Sequence, residues 1–283
     1  MSVVLITGNR ARRALAGCLA VIVSAGMLSG CAGSSGGSAP AVLVIGTSGD
    51  FPPWEYRESG GKVTGWMVDM VDHVLADAGY QAEWKQVSFT GLLPALQSGR
   101  IDLITSLYNT PERRKVISFI DFAGERNAVV TRTADAGAIK SWQDLCGSTV
   151  GSLIGSSPLA AAVAAGSKQC TDAGKTAIRN QSYQSVAQEL RDLEEGRIKA
   201  AIDGGVGFSY SAQHSGGKLA VAYYEGEKSI VGWGIRKDNP VVDKLGPAIE
   251  GFLTSDAARE VARKWSLPPD FLQRKPVIAK QEG

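Results

Sequence analysis

Histidine is nearly missing: His73 and His214 are the only two in 283 residues. Neither has metal-ligand spacing to a cysteine, so a zinc site is not expected. The same scarcity leaves no Ser-His-Asp or Cys-His constellation with usable spacing. No cofactor and no metal are expected. Lysines and arginines form no block, which argues against nucleic acid as a partner. The longest apolar run, Ala14 to Leu28, holds roughly 15 residues where a permanent membrane span needs ~20. There is no repeat of fixed period, and one short low-complexity stretch.

What is present begins with export. Met1 to Arg13 carries Arg10, Arg12 and Arg13 and no acid. With the apolar run behind it, this is the layout of a signal peptide over residues 1–30. Leu28-Ser29-Gly30-Cys31 resembles a bacterial lipobox, in which the thiol of Cys31 would carry the lipid. An uncleaved anchor, or a soluble exported chain with a chance cysteine, remain as alternatives. Residues 31–40 are Gly/Ser-rich and bury too little apolar surface to order, so a flexible tether is expected. The expected location is extracytoplasmic, lipid-anchored to the cell membrane, with no other membrane contact. Losing three arginines and no acid takes the net charge from +2 to about −1. Of four cysteines, Cys18 leaves with the signal and Cys31 is the lipid site. Export makes a disulfide between Cys146 and Cys170 reasonable, stabilising by roughly 3 kcal/mol through loop closure.

About 240 residues follow the tether, comfortable for two lobes of ~100 or more. Their periodicity alternates between strand and helix. Val42 to Gly46 reads as a buried strand, Met67 to Ala78 as a helix closed by Gly79, and Tyr80, Ala82 and Trp84 as an alternating strand. A short helix at Leu92 to Gln97 precedes a strand at Ile101 to Thr105. A second set follows: strand Thr149 to Leu153, helix Pro158 to Ala165 ended by Gly166, helix Val186 to Leu193, and strand Ile198 to Ile202. Two helices, around Val242 to Phe252 and Ala258 to Trp265, close the chain. Strands separated by helices predict an α/β fold with mostly parallel sheets flanked by helices.

Thr110-Pro111-Glu112-Arg113 predicts a helix start, with Thr110 as N-cap and Pro111 at N1. Arg113 in the first turn gains nothing from the helix dipole. Beyond a strand's C-terminal edge it could hold a carboxylate with two parallel hydrogen bonds. Pairing with a nearby acid is the plain alternative.

Four segments stand together in order and spacing: Phe51-Pro52-Pro53-Trp54-Glu55-Tyr56, Gly65-Trp66-Met67-Val68-Asp69-Met70, Leu92 to Asp102, and Thr110 to Arg113. In this the chain resembles the polar amino-acid family (family 3) of bacterial extracellular solute-binding proteins, from about Val42 to Trp265. The resemblance implies a two-lobed periplasmic-binding-protein-like fold joined by two hinge strands. Lobe 1 would be 41–126 plus 233–283, and lobe 2 would be 127–232. It also implies that a small amino acid or derivative binds between the lobes and passes to the permease subunits of an ABC transporter. A monomer is expected.

By matched position, Phe51 and Phe89 are the expected apolar walls, with Trp54 supporting them. Arg113 matches the carboxylate-binding arginine, and Ser106, at the end of its strand, falls where main-chain and side-chain groups meet the ligand. Gly155-Ser156-Ser157, with Pro158 at N1, resembles the second-lobe turn whose N–H groups and hydroxyls complete the carboxylate site. Two positions depart from the pattern. The family's ammonium-binding aspartate falls on Gly204, so Asp203 stands one residue early, which in a strand changes its face. Asp203 is still the expected ammonium ligand, since Gly204-Gly205 permits unusual backbone geometry. Tyr108 stands where many relatives have Ser or Thr, with Asn109 beside it as a possible amide contact. Neither Ser48 nor Ser88 is the acid that some relatives use for a basic side chain. A polar or acidic amino acid or its amide is therefore the expected ligand, with Asp50 and Glu55 as nearby acids.

Binding without chemistry is the expected activity. The runner-up is an enzyme similar to periplasmic cyclohexadienyl or arogenate dehydratases, which needs a general acid. Those enzymes carry a glutamate past the second-lobe aspartate, where this chain has Gly204-Gly205-Val206-Gly207. A ligand-sensing lipoprotein using the same cleft is the third reading.

Overall fold

The alternation of strand and helix seen in the sequence builds one large sheet with helices on both faces. The computed structural model describes residues 40–279 apart from 238, 269 and 270. The expected signal peptide, the expected lipid site Cys31 and the expected tether up to residue 39 lie outside the described residues.

The chain opens with β1 (Ala41–Thr47), then a small antiparallel sheet of β2 (Asp50–Phe51), β3 (Glu55–Arg57) and β4 (Val63–Thr64). There follow α1 (Trp66–Ala78), β5 (Tyr80–Gln86), α2 (Phe89–Gln97), β6 (Leu103–Tyr108) and the single turn α3 (Pro111–Arg114). A long strand, β7 (Ile117–Arg132), leads through α4 (Thr133–Ala136) and a 3-10 turn at Trp142–Leu145 into β8 (Thr149–Leu153). Next come α5 (Ser157–Asp172), β9 (Arg179–Tyr183), α6 (Val186–Glu194), β10 (Ala200–Gly204) and α7 (Gly205–Gln213). A second long strand, β11 (Leu219–Arg236), returns to α8 (Val241–Thr254), α9 (Asp256–Lys264) and β12 (Leu272–Ala279).

The strand order is β5-β1-β6-β11-β7-β10-β8-β9, with β12 also on β7. The two flanks, β5-β1-β6 and β10-β8-β9, pair in parallel; β7 and β11 join them as a long antiparallel ribbon. Each flank has its own cores. On the first, α1, α8 and α9 bury Trp66, Met70, Trp233 and Phe252 on one face, and α2 buries Leu92 and Leu96 on the other. On the second, α5 packs Leu159 and Val163 against Trp142, and Val186 and Leu193 of α6 pack with Phe208 of α7. The ribbon's ladder is interrupted where the flanks meet: pairing stops at Glu125 opposite Ser229 and resumes at Asn127 opposite Glu225. Arg126 bridges the gap, its Nε and Nη2 donating to the carbonyls of Gly226 and Tyr224 at 2.8 and 2.6 Å.

Several sequence expectations shift. The helix placed at Leu92 to Gln97 begins at Phe89, and the strand placed at Ile101 to Thr105 runs over Leu103–Tyr108. Ser106 is thus inside its strand rather than at its end. Gly166 does not end α5; the helix continues to Asp172. The glycine is there because a Cβ would lie 2.2 Å from Cδ2 of the buried Trp142. Asp203 lies within β10, whose start moves from Ile198 to Ala200. The Cys146–Cys170 disulfide forms as expected and ties the 3-10 turn to α5. Among the described residues no helix is long and apolar enough to cross a membrane.

Candidate functional site

The C-terminal ends of β1, β6, β8 and β10 converge on one cleft, the place where open α/β sheets bind ligands. A narrow cavity of about 60 Å³ lies there, lined among others by Phe51, Trp54, Phe89, Ser106, Tyr108, Ser156 and Asp203. Seven of the nine expected ligand-binding residues are therefore brought together. Arg113 and Ser157 are not part of the lining; both stand at its edge.

Local sequence explains the placements. Thr110 caps α3 by accepting the Arg113 N–H at 3.3 Å, as its residue type predicts. The guanidinium then turns back. Its Nη1 donates to the Tyr108 carbonyl at 2.9 Å and its Nη2 to the Gly155 carbonyl, across the cleft, at 3.3 Å. Its Cζ stands 5.9 Å from the Phe89 ring centre. Burial lowers its pKa to about 10, opposed by the neighbouring Tyr108 and Glu112. On the facing wall Ser156 is the buried N-cap of α5, Ser157 is the exposed first helical residue, and Pro158 takes the second position rather than the first.

Phe51 stacks on Trp54 with ring centres 6.3 Å apart and planes at 10°. Trp54 is buried and leans on Trp66 and Phe271, so it supports the wall from behind. Phe51 also reaches the second flank, where a Cβ on Gly207 would meet its ring at 2.4 Å. Asn109 does not face the cavity: its Nδ2 donates to both Asp121 oxygens and its Oδ1 accepts from Arg114. Ser88 is the exposed N-cap of α2, whereas Ser48 and Asp50 line the cavity.

The electrostatics are lopsided. Three buried carboxylates line the cavity: Glu55 at 6% exposure, Glu125 at 6% and Asp203 at 5%. Glu55 accepts from the Ser106 hydroxyl at 2.6 Å. Glu125 accepts from the Val206 N–H at 2.8 Å through Oε2. Asp203 accepts from the Gly204 N–H at 2.7 Å through Oδ1, while its Oδ2 has no hydrogen-bond partner among the described residues. Burial pushes Glu55 up to about 8, against the Ser106 hydrogen bond and with a smaller push from Asp50. Burial likewise raises Glu125 to about 8, opposed by the Val206 N–H and reinforced by Asp203. Asp203 rises to about 7, again through burial, with the Gly204 N–H opposing and Asp50 adding. Among the described residues no lysine or arginine forms a salt bridge with any of the three. No group of His, Cys, Asp and Glu among those residues is arranged to hold a metal ion.

Glu125 is the lining acid that sequence reasoning missed; the apolar lining residues Leu92, Leu153, Val186 and Val231 were not expected at the site either. Glu125 lies in the mixed apolar and polar run Ile117–Arg132, which was not recognised as a strand. A wider cavity of about 570 Å³, lined by residues of β7, α7 and the segment after α9, also touches Glu125. The narrow cleft is the stronger candidate, because the buried acids, the unpartnered Oδ2 and the aromatic wall converge there.

Comparison with known proteins agrees with this geometry. Residues 43–268 match the family described as bacterial extracellular solute-binding proteins, family 3. The chain is 29% identical over 245 residues to the arginine-binding extracellular protein ArtP of Bacillus subtilis, covering 84% of this chain and 92% of that one. An ancestral arginine-binding protein bound to arginine superposes with a TM-score of 0.68 at 26% identity, covering 80% of this chain and 99% of the other. An ancestral amino acid-binding protein described as a precursor of cyclohexadienyl dehydratase has the same TM-score at 21% identity, a likeness of fold alone. With its α/β periplasmic-binding-protein fold and cleft, the chain belongs to the bacterial extracellular solute-binding proteins, family 3.

Proposed function

We propose that the cleft captures an amino-acid-like solute between two closing lobes and that the closed protein delivers it to the membrane subunits of an ABC importer. The lobes part at the ladder interruption beside Arg126 and Gly226, somewhat earlier on β11 than the 232/233 boundary expected from sequence. Closure buries the ligand's charges against fixed partners, and ligand shifts the open–closed balance by its differential affinity for the two states. Relatives named for arginine and other amino acids support this class of cargo.

One observation carries the reading: the Arg113 guanidinium spans from Tyr108 on one wall to Gly155 on the other. A ligand carboxylate entering beside Ser156 and Ser157 offers that fork a charge-assisted partner in place of two neutral carbonyls. Arg113→Ala is expected to weaken binding of the cognate amino acid by about 100-fold or more, as a charge-assisted contact of about 3 kcal/mol is lost. Calorimetry checks this; unchanged affinity would refute the carboxylate role.

The protein acts as a monomer, held at the cell membrane by a lipid on Cys31, and does not transform its ligand. The dehydratase-like alternative gains one point from the cleft, since a carboxyl near pKa 8 such as Glu125 is able to donate a proton. It is tested with prephenate and arogenate: product formation would replace binding with catalysis.

A further inference from the structure

We propose that Glu125, carried by the long strand β7, is a ligand-binding acid, and that with Asp203 and Glu55 it selects cleft ligands of net positive charge. This rests on the cleft being the solute site.

The first support is steric. A Cβ on Gly204 would lie 2.5 Å from Glu125 Oε1 and 3.0 Å from the Tyr108 hydroxyl. Any side chain at 204 would have to displace the Glu125 carboxylate from the position it holds. The two positions that looked irregular in the sequence, Tyr108 and Gly204, are thus neighbours of the same carboxylate. The second support is how Glu125 is held. Its Oε2 accepts the Val206 N–H in the first turn of α7, and the Tyr108 hydroxyl beside it donates to Asn127 Oδ1 at 3.1 Å. The carboxylate is fixed at the ribbon gap, where the two flanks meet.

The third support is the charge count. Glu55 stands on the first flank, Asp203 on the second and Glu125 between them, all nearly buried and without a cationic partner among the described residues. Asp203 Oδ2 has no hydrogen-bond partner among the described residues. The nearby guanidinium of Arg113 is occupied by two carbonyls. A buried, unpaired carboxylate is unfavourable unless a cation arrives to meet it. A neutral zwitterion brings one ammonium for three acids. A dibasic amino acid, or the amine left when its carboxylate is removed, brings a second positive group. Phe51 and Phe89 add aromatic faces, which favour cations over neutral side chains. The expected polar or acidic amino acid is therefore replaced by a cationic one.

The test is competition calorimetry on the purified protein with arginine, lysine, agmatine, glutamine and glutamate. At least one of the three cationic ligands is expected to bind tenfold or more tighter than glutamine and glutamate. Comparing arginine with agmatine separates an amino acid from its decarboxylated amine. Glu125→Gln, nearly isosteric and still able to accept the Val206 N–H, is expected to lower the affinity of the preferred cation at least 30-fold. If Glu125→Gln does not melt cooperatively, Glu55→Gln serves in its place with the same expected loss of preference. Tighter binding of glutamine or glutamate than of any cation would overturn the inference and leave amino-acid binding standing. An unaffected, well-folded Glu125→Gln would overturn the role of that residue. Failure of every amino acid and amine to bind would overturn both readings.

Discussion

At the scale of single residues the cleft is a store of unfavourable charge. Glu55 and Glu125 are raised to about 8 and Asp203 to about 7, in each case first by burial. The neighbouring acids add to this rise, while hydrogen bonds from Ser106, Tyr108 and the Val206 and Gly204 N–H groups oppose it without cancelling it. Glu55 meets Asp50 and the Ser106 hydroxyl; Glu125 meets Tyr108 of β6 and Asp203 of β10; Asp203 also feels Asp50. A carboxyl whose folded pKa lies above its unfolded value of about 4 favours folding most below that value. The contribution is lost as pH rises through the folded pKa. The ligand-free protein is therefore expected to lose melting temperature from about pH 5 to about pH 8.5, with a shallower slope in Glu55→Gln and Glu125→Gln. Calorimetric melting across that range checks it; a melting temperature that climbs steadily with pH would contradict the burial of these acids in ionisable form. Little of this was visible in sequence. Glu55 was noticed as a nearby acid, but Glu125 is distant in sequence from the other lining residues, and only the ribbon's path brings it to Gly204.

At the scale of elements, local rules served well wherever the signal was local. Thr110 and Pro111 start α3, Gly79 closes α1 in the left-handed conformation, and Tyr80, Ala82 and Trp84 alternate along β5 as read. Tertiary contacts overrode local rules elsewhere. Gly166 reads as a helix stop, yet it lies inside α5 because Trp142 occupies the volume of its side chain. Two effects of Gly166→Ala compete. Better helix propensity offers about 1 kcal/mol, while overpacking against a fully buried indole costs roughly 1–3 kcal/mol. A 2.2 Å approach to Trp142, itself 2% exposed, leaves little room to relax. The variant is expected to be less stable by about 1–2 kcal/mol in denaturant unfolding; a gain in stability would mean that Trp142 moves freely. The long strands β7 and β11 escaped periodicity altogether. Ile117–Arg132 is buried at nearly every position, with polar Ser118, Asp121, Glu125 and Asn127 among the apolar residues, so neither a period of two nor of 3.6 stands out.

At the scale of the whole molecule, two parallel flanks hang on one antiparallel ribbon, and the cleft between them is lined from both sides. Phe51 of the first flank rests on Gly207 of the second, and Arg113 reaches Gly155. Walls already in contact around a narrow cavity describe a closed arrangement, which a ligand must stabilise to be held and release to be delivered. The two-flank architecture was readable from four motifs in register; the charge of the cavity was not, because it depends on acids from three separate elements meeting in space. The most direct test is a thermal-shift screen of the protein against the amino acids, their amides, decarboxylated amines, prephenate and arogenate. One amino-acid or amine class is expected to raise the melting temperature, with about 2.7 kcal/mol of stabilisation at a hundredfold excess over Kd, and Arg113→Ala to abolish the shift for an amino acid. No shift with any amino acid or amine would contradict solute binding by this cleft.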